Sequence, residues 1–388
     1  MVYTILLLLL LFGIFHFEKR QNIFFDKAYY ILLFVLFTLM TGLRYKVGGD
    51  ALMYEEYYDH MPSLQWFQFG LKETFLGYQP LYILFVAICK EFSPDYYFYQ
   101  LVHSVLVNSV LFWFIYTHSR KGKYSVLLVL YVFLFYFYFT FDIQREILAI
   151  CCFLLGFNFF IKGKWWAYYL FAILAFLFHI SATILLLLPL FKLVKFNSRI
   201  ALIIILVTLP LVFTKQIVAN LLSFLFFTDA MKNKAEAYGE YGFSIVGVLS
   251  FYFTKVIVIL PFMFSSIIEK YKQWHWLFMY ILVFSIFSQI FVGMERLLNY
   301  MYIPYIILII KIVKDLKSSG EFSFRNKFAV AMVYVSFFFV LLYKIPMDWG
   351  VTDRAKYQEV FFPYSSVFDK EENPERERFM IELWKRTN

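Results

Sequence analysis

Apolar residues in this chain come in long runs, at roughly 2–17, 28–43, 97–117, 124–141, 146–161, 164–178, 180–193, 199–214, 243–267, 274–293, 298–314 and 327–345, with short polar clusters between them. Runs of this length suit the hydrocarbon core of a bilayer, where no water is present to satisfy backbone N–H and C=O groups. A helix satisfies them within its own segment. The pattern therefore predicts an all-α fold, a polytopic integral membrane helical bundle of about 12 transmembrane helices. Several runs are short for a full crossing, which implies tilt, local thinning of the bilayer or broken helices. Two further runs, 79–92 and 216–228, are shorter still and suit re-entrant or interfacial half-helices.

Composition excludes the main alternative. A chain that is 62% hydrophobic, 23% aromatic and 16% charged is too apolar for a soluble globule. Residues 1–345 are expected to form one multi-span membrane domain with a large outer loop at 44–78. Residues 346–388 are expected to form a short tail whose last dozen residues suit a surface helix. The net charge of +9 does not point to nucleic acid, because the lysines and arginines sit in short clusters between apolar runs. Cys89, Cys151 and Cys152 all lie in apolar runs without metal-ligand spacing and read as buried thiols.

The basic clusters set an orientation. With Lys19, Arg20 and Lys27 inside, alternate crossing also puts inside Arg120 to Lys123, Lys162 and Lys164, Lys192 to Arg199, Lys270 with Lys272, and Lys314 to Lys327. This requires that 79–92 and 216–228 do not cross and that 164–193 is a tight hairpin. The outer face then carries TGLRYKVGGDALMYEEYY at 41–58, FDIQRE at 141–146, the hairpin tip FHIS at 178–181, the loop 228–242, GMERLLNY at 293–300 and the tail.

Residues able to do chemistry collect on that face. Arg44, Arg145 and Arg296 stand at outer ends of spans, and a guanidinium presents a fixed fork of donors that matches phosphate and stays charged when desolvated. Arg145 and Arg296 also open inward-running helices, whose N-terminal N–H groups favour an anion. Together the three describe a diphosphate clamp, although an arginine at a span end also snorkels to the interface with no function at all. His179, at the hairpin tip, has the pKa range of a general base, and equally of a structural hydrogen-bonder. Asp50 follows Gly48 and Gly49 and is placed to take a proton, hold a sugar hydroxyl, or pair with Arg44 or Lys46. Glu146 and Glu295 adjoin clamp arginines and suit an orienting role. Tyr54 and its aromatic neighbours offer faces for sugars, as interfacial tyrosines do in any membrane protein. Lys255, near the middle of a span, calls for a polar interior or an anionic ligand. No Walker loop, HExxH, CxxC, GxSxG or DxD pattern is present. Neither a cofactor nor a metal is expected.

The pattern R-x-x-x-G-x-D-x-x-x-Y at 44–54, Gln144-Arg145 opening a span, LFHISA at 177–182 and R-x-x-x-Y at 296–300 resemble the EpsG group of Wzy-like polysaccharide polymerases. The large outer loop after the second span, the many short helices and the late outer arginine are similar too. The resemblance implies a glycosyltransferase of a bacterial plasma (inner) membrane, with its active site on the extracytoplasmic side. Its substrate would be an undecaprenyl-diphosphate-linked oligosaccharide, and a chain-length regulator and a flippase would be its partners. It implies that Arg44, Arg145 and Arg296 hold the donor diphosphate, with Tyr54 and Lys255 as further substrate contacts. His179 or Asp50 would activate the acceptor hydroxyl. Two other readings use the same residues: a flippase or transporter of lipid-linked sugars, and a membrane glycan ligase or acyltransferase.

Overall fold

A computed structural model describes residues 2–16, 23–67, 79–119, 124–193, 198–213, 266–290, 294–318, 323–339, 357–369 and 374–387. Among them the regular structure is helical, as the apolar runs predict. In order these are α1 (Val2–His16), α2 (Ile23–Gly42), α3 (Ala51–His60), α4 (Pro80–Phe92), α5 (Tyr96–His118) and α6 (Tyr124–Tyr131, continued to Asp142 by two π-helical turns). Then follow α7 (Gln144–Ile161), α8 (Trp165–Phe178), α9 (Thr183–Phe191), α10 (Ser198–Phe213), α11 (His275–Ile290), α12 (Glu295–Ser318), α13 (Phe324–Phe339), α14 (Tyr357–Phe361) and α15 (Pro374–Thr387).

Three of the described helices are long and apolar enough to cross a membrane: Tyr96–His118, Gln144–Ile161 and Glu295–Lys317. Shorter apolar helices accompany them, at Val2–His16, Lys27–Gly42, Trp165–Phe178 and Ile180–Phe191. The expected runs at 216–228 and 243–267 fall outside the described residues, apart from the last two positions, and Lys255 lies outside them entirely. The helical class is therefore established, while the expected total of about 12 crossings is not.

The chain packs as two compact units, one of residues 1–186 with 341–388 and one of residues 187–340. In the second unit α11 packs against α10 and α12. The Tyr280 hydroxyl donates to the Leu297 carbonyl at 2.6 Å, and that of Tyr271 donates to Asp315 at 2.5 Å.

In the first unit the α7–α8 hairpin shows how local sequence sets the topology. Gly163 takes φ +68°. Its N–H bonds the Phe160 carbonyl at 3.2 Å, while that of Lys164 reaches back to Phe159 at 2.9 Å. This is a Schellman ending, which needs a residue tolerant of the left-handed region at the glycine position. The chain then reverses, and α8 runs back along α7 with Gly156 lying against Phe171. At α5, Asp95 caps the helix by accepting from the Tyr97 N–H at 2.8 Å.

The α2–α5 interface buries polar groups that satisfy one another, as helices in lipid require. Asn108 donates to Thr41 at 3.0 Å and to Ser104 at 3.2 Å, and accepts from the Tyr136 hydroxyl at 3.2 Å. The Tyr30 hydroxyl ties α2 to the Phe112 carbonyl at 2.6 Å. These contacts lock α2, α5 and α6 together, and the site is built at one end of them.

The tail folds back onto that same end. Leu43 and Tyr45 exchange backbone hydrogen bonds of 2.9 Å with Val367 and Ser365, and Arg44 forms an isolated antiparallel bridge with Ser366. Tyr3 donates to the Phe361 carbonyl at 2.8 Å, and Tyr364 to that of Met40 at 3.0 Å. The surface helix expected near the C-terminus forms as α15, and its Arg376 is 4% exposed. That guanidinium donates to the carbonyls of Lys46 at 3.0 Å and Glu359 at 2.8 Å, and also to Val360. Beside it Lys46 pairs with Glu377 at 2.7 Å.

Candidate functional site

The turn from Leu43 to Asp50 is held from three sides. Gln100 of α5 donates its amide to the carbonyls of Gly42 at 2.9 Å and Arg44 at 2.8 Å, and the tail supplies the backbone pairing given above. The third support is Arg44 itself, 1% exposed. Its Nε donates to the Val47 carbonyl at 3.2 Å, one terminal nitrogen to Thr41, and the other to Phe141 at 3.3 Å. Its Cζ sits 4.6 Å from the centroid of the Phe141 ring. A buried guanidinium needs its donors satisfied, and here backbone oxygen from the turn and from α6 does so.

Gly48 has φ +117°, and a Cβ there would lie 2.9 Å from Asp142 Oδ1 and 3.1 Å from Phe141 Cβ. Only glycine fits this conformation at this distance. The close approach lets the Gly49 N–H donate to Asp142 Oδ1 at 2.7 Å. Asp142 is 1% exposed. Burial first, and then the neighbouring Asp50 carboxylate, raise its pKa well above the ordinary carboxyl range, against the opposing pull of the Gly49 N–H and Arg44.

Asp50 stands at the N-terminus of α3, half-buried. One turn further on, Tyr54 is 4% exposed. It lies close enough to Arg145 and to Asp50 to feel the charge of each. Burial is the main cause that pushes the Tyr54 pKa up to about 12, so it stays a neutral phenol. Arg145, half-buried, occupies the first turn of α7, with its Cζ 5.9 Å from the ring centroid of Tyr82 on α4. The turn behind it is fixed by Gln144, whose carbonyl meets His103 Nε2 at 2.9 Å and whose amide donates to Tyr96 at 2.8 Å.

Four of the residues picked out in the sequence thus meet at one end of this unit: Arg44, Asp50, Tyr54 and Arg145. They differ in what surrounds them. Arg44 is committed to backbone carbonyls, whereas Arg145 stands at a helix N-terminus among tyrosines.

His179 belongs to the same unit. It is 5% exposed and ends α8, with Nδ1 bonded to Ser181 Oγ at 2.7 Å and to the Ser181 N–H at 3.3 Å. It is therefore the cap of the short turn Ile180–Ala182. The Gly156–Phe171 register, carried forward, sets it level with about Leu148, roughly one helical turn from Arg145. Arg296 is exposed, in the first turn of α12 of the other unit.

The residue that sequence reasoning passed over is Asp142. The corner FDIQRE was noted for its arginine and glutamate, and the available signal was an aspartate at the end of a long aromatic run, facing a Gly-Gly turn elsewhere in the chain.

A family model, that of the EpsG family, matches residues 27–369. No curated protein and no solved structure matches the chain.

Proposed function

The chain belongs to the EpsG family, and from that membership we propose that it joins lipid-diphosphate-linked oligosaccharide units into a surface polysaccharide at the outer face of a bacterial plasma membrane. The observation that carries the reading is the meeting of Arg145, Tyr54 and Asp50 at one end of an apolar helical unit.

In the reaction a hydroxyl of the acceptor attacks the anomeric carbon of the donor unit. The bond from that carbon to the diphosphate breaks, and the lipid diphosphate leaves with the electron pair. Negative charge on it grows towards the transition state, so a preorganised cation there accelerates the step. Arg145 takes this role, helped by the N-terminal N–H groups of α7 and by the neutral Tyr54 hydroxyl. Arg296 and Lys255 are further contacts for the anionic part of the substrate. Arg44 shapes the turn that presents Asp50. Asp50 or His179 takes the acceptor's proton.

The purified protein in lipid vesicles, supplied with lipid-diphosphate-linked repeat units, is expected to make a ladder of products and to release free lipid diphosphate, one per bond formed. Units that only cross the bilayer would replace this reading with a flippase. A single transfer, or a transferred acyl group, would replace it with a ligase or acyltransferase.

A further inference from the structure

Asp142 is a buried carboxyl that the scheme above does not use. Its Oδ1 is bound by the Gly49 N–H at 2.7 Å. Its Oδ2 is buried and finds no hydrogen-bond partner among the described residues. An ionised carboxylate in that position would leave charge on a buried oxygen that no donor among the described residues reaches. The groups that face it are the Gly49 and Asp50 N–H groups, the Asp50 carboxyl and the Arg44 guanidinium. Arg44, however, spends its donors on the carbonyls of Thr41, Val47 and Phe141. The Gly49 bond sets the next residue, Asp50, beside Asp142, and of two interacting carboxyls the more buried takes the proton first.

We propose that Asp142 and Asp50 form a one-proton carboxyl pair, in which buried Asp142 keeps the proton and leaves Asp50 ionised as the base that receives the acceptor hydroxyl's proton. This rests on the polymerase reading and chooses within it between Asp50 and His179. Asp50 touches the substrate; Asp142 is a positioning residue that acts through Asp50. During the transfer the acceptor O–H bond breaks, its proton passes to an Asp50 oxygen, and its electron pair forms the bond to the anomeric carbon. The proton then returns to water from Asp50. The backbone supports the assignment, since the left-handed Gly48 brings the Asp50 segment against Asp142 where a side chain would collide.

The sign of the pH dependence follows. Wild-type activity falls on the acid side as Asp50 becomes protonated, and on the alkaline side as Asp142 loses its proton and places a second charge beside Asp50. Asparagine at 142 stays neutral at every pH and still offers an oxygen to Gly49. Asp142→Asn is therefore expected to keep the turnover rate within several-fold of wild type near neutral pH and to remove the alkaline limb. Asp50→Asn is expected to lower turnover by about 10²–10⁴-fold.

The assay is the vesicle reaction measured across pH for wild type, Asp142→Asn, Asp50→Asn and Arg145→Ala. An unchanged alkaline limb in well-folded Asp142→Asn overturns the pair, as does an active Asp50→Asn, while an inactive Arg145→Ala leaves the polymerase reading standing. If Arg145→Ala is also fully active, the polymerase site itself is misassigned. Should Asp142→Asn fail to accumulate, the infrared band of a protonated carboxyl is followed in wild type and Asp50→Asn. Loss of the band at lower pH in Asp50→Asn supports the pair, and an unchanged titration overturns it.

Discussion

Arg145→Ala is expected to abolish chain lengthening while leaving the protein folded and in the membrane. The side chain is half-buried in the first turn of α7, and the rest of that turn is held by its neighbours, through His103 on the Gln144 carbonyl and Gln144 on Tyr96. Removing Arg145 therefore takes a cation from the site without removing the scaffold. What is lost is stabilisation of charge that appears only as the diphosphate departs, so the effect falls on turnover more than on substrate affinity. Loss of one preorganised donor to developing negative charge typically costs about 10²–10³-fold in rate. Arg145→Lys should recover only part of this, because an ammonium lacks the guanidinium fork. The check is the length distribution of polymer in cells carrying each variant, alongside membrane abundance. Normal polymer from Arg145→Ala would remove Arg145 from the mechanism.

Arg44→Ala should fail differently, through the fold. Its guanidinium is buried against the Phe141 ring and satisfies carbonyls of Thr41, Val47 and Phe141, thereby joining the end of α2 to the turn and to α6. Truncation would leave these buried carbonyls unpaired and open a cavity where the side chain lay. Each hydrogen bond to a charged group contributes about 1.5–3 kcal/mol. A loss on the order of 3–5 kcal/mol is expected, large against the whole stability of a typical domain. The measurement is thermal unfolding in detergent and the amount of protein recovered from membranes. Arg44→Ala with wild-type stability and no activity would return Arg44 to the substrate, as the clamp read from sequence had it.

The contrast between the two arginines shows what was legible in the sequence. Apolar runs predicted helices because lipid leaves the backbone little else, and the helices formed. That charged and aromatic residues gather at one end of a unit was legible too, since they cluster where spans stop. Arg44, Asp50, Tyr54 and Arg145 were all picked from that clustering. What each side chain does there depends on residues far away in the chain. Arg44 is committed because Phe141 reaches it from α6, and the turn it braces is closed by Ser365, Val367 and Arg376 of the tail, which reads only as a short C-terminal extension in one dimension. Asp142 was hidden for the same reason: its environment is made by Gly48 and Gly49, which look like generic flexibility until one is seen at φ +117° against a carboxylate. His179 was read equally as a base and as a structural hydrogen-bonder, and the structure gives its Nδ1 to Ser181. Span number resisted reading because runs such as 164–178 and 180–193 are near the lower limit for a crossing, where length alone does not separate a tilted span from a half-helix.

The central claim is that this protein makes glycosidic bonds between lipid-linked units outside the cytoplasm. Mass spectrometry of lipid-linked glycans from cells lacking it, with a membrane-impermeant glycosidase to report sidedness, tests that claim most directly. The account predicts single repeat units accumulating on the outer face, open to the enzyme, with long chains gone. Units trapped on the inner face, or long polymer persisting unchanged, would contradict it.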